Sequence, residues 1–264
     1  MGTGNDGVFK KDFWEWDQST NTWSQKADFG GCARYLAVGF SIGTKGYIGT
    51  GYDGSSYLKD FWEYDQAGNS WTQKADFGGT ARFFAVGFSI GTKGYIGTGR
   101  QGCGSDFGDF WEYDQTAGTW MQKANFGGGG RFGAVGFSIN TKGYIGVGNQ
   151  GCGSMKNDLW EYTWGAGSMG GSWVSKASFG GSARYGSVGF SIGSKGYIGS
   201  GCCFSTDFWA YDQTGDSWTQ KASFGGPGPE GRYMTLGFSI GTKGYVGTGG
   251  ATSGNLKDLW EYCP

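Results

Sequence analysis

The residues best suited to chemistry are five arginines: Arg34, Arg82, Arg131, Arg184 and Arg232. Each opens an equivalent stretch of chain, as in Arg82–Ile90. A guanidinium offers planar, bidentate donors, so a ring of five would suit a carboxylate, a sulfate or a phosphate. The competing use is internal. An aspartate recurs in step with the arginines, at Asp12, Asp60, Asp109, Asp158, Asp207 and Asp258, and Glu63 and its equivalents could also accept the charge. Acid and base repeating in register favour an internal ion pair over an anion site.

A second set lies in variable, Gly-rich segments. Tyr52, Arg100 and Asn149 occupy matching places in three of them. Unequal loops on a repeated scaffold are the usual home of binding residues, and drift in a tolerant loop is the alternative. The sequence contains no histidine. That excludes Ser-His-Asp and Cys-His nucleophiles and the zinc sets that use histidine. A carboxylate pair for glycoside chemistry remains open. However, the glutamate of Phe-Trp-Glu-Tyr recurs as a scaffold residue would, and Glu230 in Pro227-Gly-Pro-Glu230 is a single unmatched acid. No catalytic residue, metal ligand or cofactor is expected.

The six cysteines are Cys32, Cys103, Cys152, Cys202, Cys203 and Cys263, with no C-x-x-C spacing. Cys103 and Cys152 hold matching positions, where a disulfide and free thiols are both possible. Charge is balanced at a net −1 without a basic run, so nothing marks a nucleic-acid partner. No apolar stretch is long enough to span a membrane.

These residues need elements to hold them. Lys-Gly-Tyr recurs at Lys45, Lys93, Lys142, Lys195 and Lys243, with tyrosines 48, 49, 53 and 48 residues apart. Such a period marks a propeller or a solenoid. Each unit reads as four short strands. For one copy, strand a is Arg82–Ile90, strand b Tyr95–Gly99, strand c Asp109–Tyr113 and strand d Trp120–Phe126. The 58 glycines beside only 3 prolines, together with 18% aromatic residues, suit short strands and tight turns and argue against disorder. Helix is not expected. Strands a and c run parallel, so each Arg and each Asp should lie at one end, with the b–c and d–a loops. The repeated Lys26, Lys74, Lys123, Lys176 and Lys221 of strand d read as charges that blunt an outer edge.

The unit resembles the Kelch repeat of β-propellers. Tyr64 and Trp71, Tyr113 and Trp120, and Tyr211 and Trp218 each enclose six residues; Trp16 and Trp23 keep that spacing, and Tyr162 and Trp173 carry a four-residue insertion. The departure is Gly49-Thr50-Gly51, where the Kelch pattern has a glycine pair. The near-identical copies are similar to tandem Kelch repeats of bacterial secreted and surface proteins. The resemblance implies a secreted or cell-surface setting, while the first residues show no secretion signal and leave a cytoplasmic one open. It implies no one function. A non-catalytic recognition module for a protein or a glycan, on the face formed by the b–c and d–a loops, is the leading expectation. A structural assembly unit is the second, and a sugar-active enzyme resembling sialate-mutarotase-type propellers the third. The oligomeric state is not legible.

The expected fold is an all-β, five-bladed Kelch-like β-propeller in one domain, with four antiparallel strands per blade. Repeats run over about 34–81, 82–130, 131–183 and 184–231. The closing blade combines 232–263 with 13–29, so that the last blade is closed by both termini. On that count strand c of Phe13–Trp16 is surplus, because strand c occurs six times and the other strands five.

Overall fold

The computed structural model describes residues 2–151, 153–223 and 231–264. The chain forms an all-β propeller, and it has six blades, not five. Blade 3 shows the complete pattern: strand a Val86–Ile90, b Lys93–Gly97, c Phe110–Asp114 and d Thr119–Lys123, ordered a-b-c-d and antiparallel throughout. Blade 2 (Val38–Ile42, Lys45–Gly49, Phe61–Asp65, Ser70–Lys74), blade 4 (Val135–Ile139, Lys142–Gly146, Leu159–Thr163, Ser172–Lys176) and blade 5 (Val188–Ile192, Lys195–Gly199, Phe208–Asp212, Ser217–Lys221) repeat it. Blade 6 has strands a Leu236–Ile240, b Lys243–Gly247 and c Leu259–Tyr262. Blade 1 has strand b Gly2–Asn5, c Phe9–Asp17 and d Thr22–Lys26. Among the described residues there is no α-helix, only a short 3-10 turn at Cys202–Phe204. Among the described residues no helix is long and apolar enough to cross a membrane.

The sixth blade comes from the strand c counted as surplus. Phe9–Asp17 pairs with Thr22–Lys26, Trp16 facing Trp23, and with Gly2–Asn5 on its other side. Residues 13–29 therefore do not complete the sheet of blade 6, whose strand c has no outer neighbour among the described residues. The termini meet as adjacent blades instead. Trp16 packs on Tyr245 at 4.7 Å between ring centroids, and Gln18 donates to the Tyr245 hydroxyl at 2.7 Å. The same joint recurs around the ring as Tyr47 on Tyr113, Tyr95 on Tyr162, Tyr144 on Tyr211 and Tyr197 on Tyr262.

Glycine makes the inner joint. Phe40 of blade 2 lies where side chains on Gly87 and Gly94 of blade 3 would be; a Cβ on Gly94 would meet its ring at 2.3 Å. Phe88 covers Gly136 and Gly143 in the same way, and Phe190 covers Gly237 and Gly244. Five inner strands converging on one axis leave no room for a Cβ at these positions. Farther out, Phe61, Phe110 and Phe208 are fully buried against the next blade's tyrosine, with ring centroids 4.8–4.9 Å apart.

Strand a begins four residues later than its sequence suggests, because Leu36, Phe84 and Met234 adopt positive φ (52°, 59° and 56°) and turn the chain before the ladder starts. The strand d lysines do more than blunt an edge. Lys26 pairs with Glu15 at 3.0 Å and Lys74 with Glu63 at 3.4 Å. Lys123 is buried, donating to the carbonyls of Gly165 and Gly167 and lying over Trp164, all in the insertion of blade 4.

Candidate functional site

The five arginines lie at the end of the ring that carries the b–c and d–a loops, and all are buried. Each guanidinium grips the aspartate of its own blade with both terminal nitrogens. Arg82 meets Asp109 at 2.5 and 2.8 Å, Arg34 meets Asp60 at 2.5 and 2.6 Å, and Arg131, Arg184 and Arg232 hold Asp158, Asp207 and Asp258 alike. One nitrogen also donates to the carbonyl that ends strand b, at Thr50, Thr98, Val147, Ser200 or Thr248. Those five residues all have positive φ, between 52° and 59°. This conformation turns the carbonyl toward the guanidinium, and it explains the residue between the two glycines of Gly-Thr-Gly. The aspartates also accept from the tryptophan two positions on, as Asp109 does from Trp111 at 2.8 Å.

These bonds match the internal ion pair set out above as the alternative to an anion ring. Burial works against ionisation of Asp158 and Asp207, but the Arg131 and Arg184 guanidinium groups outweigh it and hold both carboxyls below the usual range. Asp258 is lowered chiefly by Arg232. The strand c glutamates are likewise engaged: the hydroxyls of Tyr47, Tyr95, Tyr144 and Tyr245 donate to Glu63, Glu112, Glu161 and Glu261 at 2.5–2.9 Å. Burial raises all four tyrosines above their ordinary range, and Tyr47, Tyr95 and Tyr144 well above it.

The three loop residues come together. Tyr52, half-buried, packs against Tyr35, Tyr57 and Phe83. Arg100 bridges to Phe83 through the backbone and lies over the Phe132 ring at 3.8 Å. Phe132 in turn bridges to Asn149. Tyr52, Arg100 and Asn149 thus sit along one arc of the loop face.

That arc is lined by aromatic residues that sequence reasoning placed in strand a. The residue after each arginine is aromatic in every copy: Tyr35, Phe83, Phe132, Tyr185 and Tyr233. The positive φ at the next position lifts these rings out of the ladder and onto the face. Ring contacts run from Phe9 through Tyr35, Phe83 and Phe84 to Phe132 and Tyr185, with centroids 5.3–6.4 Å apart. Most of these rings are half-exposed.

Beside this row, polar groups are buried with their bonding capacity unspent. Arg100 Nε lies 3.3 Å from Asp106 Oδ1, in poor alignment for a hydrogen bond. Among the described residues, Arg100 Nε and Nη2, Asp106 Oδ1 and Asn149 Oδ1 have no hydrogen-bond partner. Asp106 is otherwise held by the Gly151 amide. Buried polar atoms without partners are costly, and each calls for an explanation, whether stored strain, an ordered water or a ligand.

Of the other residues considered, Cys32, Cys202, Cys203 and Cys263 carry free thiols. Cys152, and with it the pairing with Cys103, lies outside the described residues, as does Glu230. No group of three or more metal-ligating side chains occurs among the described residues.

No protein-family model matches the chain, and no curated protein matches it. Among solved structures the chain is similar to YjhT, with a TM-score of 0.82 at 14% identity, over 100% of this chain and 93% of that one. A likeness at that identity concerns the fold, and it agrees with the ring described above: the chain is a β-propeller.

Proposed function

We propose that the chain is a non-catalytic recognition module that binds carbohydrate on its loop face. The observation that supports this reading is the buried set Arg100, Asp106 and Asn149, with unpartnered donors and acceptors, at one end of a half-exposed aromatic row. An aromatic ring offers a flat apolar surface to the C–H face of a sugar. Fixed donors and acceptors beside it discriminate hydroxyl positions, because a ligand lacking the right hydroxyl leaves them unpaired. The three groups also differ in kind: a cation, an anion and an amide. A sugar bearing neighbouring hydroxyls can donate to Asp106 and accept from Arg100 once these atoms, fully covered in the free chain, are uncovered.

The test is a glycan array read with labelled protein, repeated with Arg100→Ala and Tyr52→Ala. The expected result is binding to a restricted set of sugars, weakened about tenfold or more by Arg100→Ala. Arg100→Ala leaves the buried Asp106 without its cation and should lower the thermal midpoint, so binding is compared at a temperature where circular dichroism shows both variants folded. The absence of binding to any sugar sinks the reading, as does binding that both variants retain in full. Binding to a protein but to no glycan overturns the carbohydrate assignment.

A further inference from the structure

Five blades place a strand a beside the axis; among the described residues blade 1 does not. The position between blades 6 and 2 is instead a groove of about 550 Å³, lined by Val38, Gly39, Gly46, Leu236 and Phe238, with Gly2 at its outer side. We infer that this groove is a docking slot for an extended segment of strand a sequence, Arg-aromatic-x-small-Val-Gly-Phe-Ser-Ile, supplied from outside these residues.

The filled positions show what the open one would take. In blades 3, 4, 5 and 6 the glycines of strands a and b are covered by the preceding blade, and an added Cβ would meet it. Gly39 and Gly46 are their equivalents in blade 2, and a Cβ there would meet only their own sheet, at 3.5–3.8 Å. On the opposite wall Leu236 is 39% exposed, whereas its equivalents Val38, Val86, Val135 and Val188 are 2–5% exposed. Ile240, at 37%, shows the same contrast with Ile139 at 0%. Both walls are finished surfaces of a joint whose middle member is not part of the described chain.

The polar ends point the same way. Asp12 is the strand c aspartate of blade 1. Its Oδ2 accepts from Trp14 as its counterparts do from their tryptophans, but it has no ion-pair partner among the described residues. Around the axis, Met234 donates its amide to the Gly186 carbonyl, Gly186 to Gly133, Gly133 to Phe84 and Phe84 to Leu36. The run stops there: among the described residues no backbone link joins the Leu36 amide to the Met234 carbonyl across the groove. An incoming strand would accept from the first, donate to the second and bring an arginine to Asp12. Its phenylalanine would cover Gly39 and Gly46, and its glycine would receive Leu236. Apolar pockets on alternate residues with main-chain bonding between them are the general physics of strand addition.

The probe is a synthetic peptide of residues 82–93, titrated against the full chain by calorimetry. The expected result is saturable one-to-one binding and a raised thermal midpoint, since a ligand of the folded state alone stabilises it. Peptides carrying Phe88→Ala or Arg82→Ala should bind at least about tenfold more weakly. On the protein side, Gly46→Ala, whose added methyl makes only an ordinary contact with Tyr64 of its own sheet, should keep the midpoint and lose about tenfold or more in peptide affinity. Asp12→Asn should weaken the parent peptide and leave the Arg82→Ala peptide unaffected. The inference is overturned if the parent peptide does not bind, or if Gly46→Ala and Asp12→Asn bind it as the parent does. It is also overturned if light scattering finds a dimer that Gly46→Ala converts to monomer, because a second copy then fills the groove.

Discussion

Replacing Arg82 by methionine separates a scaffold arginine from a ligand-binding one. The Arg82 side chain is fully buried and its Asp109 partner is 21% exposed. The change removes four hydrogen bonds: two to Asp109, one to the Thr98 carbonyl and one from Nε to the Thr80 carbonyl at 2.9 Å. It also removes the cation from over the Phe77 and Phe107 rings. Methionine fills much of the space, so the cost is chiefly electrostatic. Asp109 keeps its charge with only Trp111 to satisfy it, and the Thr98 carbonyl has been turned by a positive φ toward a donor that is gone. Breaking a buried pair by removing one partner costs about 3–5 kcal/mol. Guanidinium denaturation followed by tryptophan fluorescence should show the midpoint falling at an unchanged slope. The double variant Arg82→Met/Asp109→Leu should lose less than the two single losses combined, with a coupling of roughly 1–3 kcal/mol. A loss below about 1 kcal/mol, with additive effects, would falsify the claim that this pair is part of the frame.

Acid should unfold the ring through the same pairs. Asp158, Asp207 and Asp258 titrate in the fold below the 3.8 of a free aspartate, so their contribution is complete above that value and is lost as pH falls through it toward the folded values. The thermal midpoint should hold from neutrality to about pH 5 and drop below about pH 4, and a midpoint still level near pH 2.5 contradicts this linkage. Among the thiols, Cys202 is buried beside Met155, and burial raises its pKa, whereas Cys32, Cys203 and Cys263 are exposed. A disulfide reagent at neutral pH, with peptide mapping, should label the exposed three first and Cys202 only on unfolding. Equal rates for Cys202 and Cys203 would show that the site is open.

Much of this arrangement was legible in the chain. Acid and base recur in step, and the parallel run of strands a and c puts both at one end, which is where each Arg meets its Asp. The number of blades was not. A count keyed on Lys-Gly-Tyr returns five, because strand b of blade 1 is represented only by Gly2-Thr3-Gly4. A list of strands also cannot say which edge a strand will join. Here Thr22–Lys26 folds back on Phe9–Asp17 across a short turn, and closing a short loop costs less entropy than recruiting the far end of the chain. The aromatic row was hidden for another reason. Tyr35, Phe83, Phe132, Tyr185 and Tyr233 recur like core residues, and only the positive φ of the residue that follows turns them out. For leucine, phenylalanine or methionine that conformation cannot be read from residue type, and in the fold it accompanies the backbone hydrogen bonds that link these residues around the axis.

The repeated Phe-on-Gly joint carries a consequence for how the ring assembles. Phe40 on Gly94, Phe88 on Gly143, Phe137 on Gly196 and Phe190 on Gly244 are the same contact made four times. Surfaces so alike cannot tell a correct neighbour from a wrong one, so the order of the blades is held by the covalent connections and their lengths. Folding then proceeds best by zipping each blade onto the one just made. A blade that docks out of turn is caught in a favourable contact that must break before the ring can close.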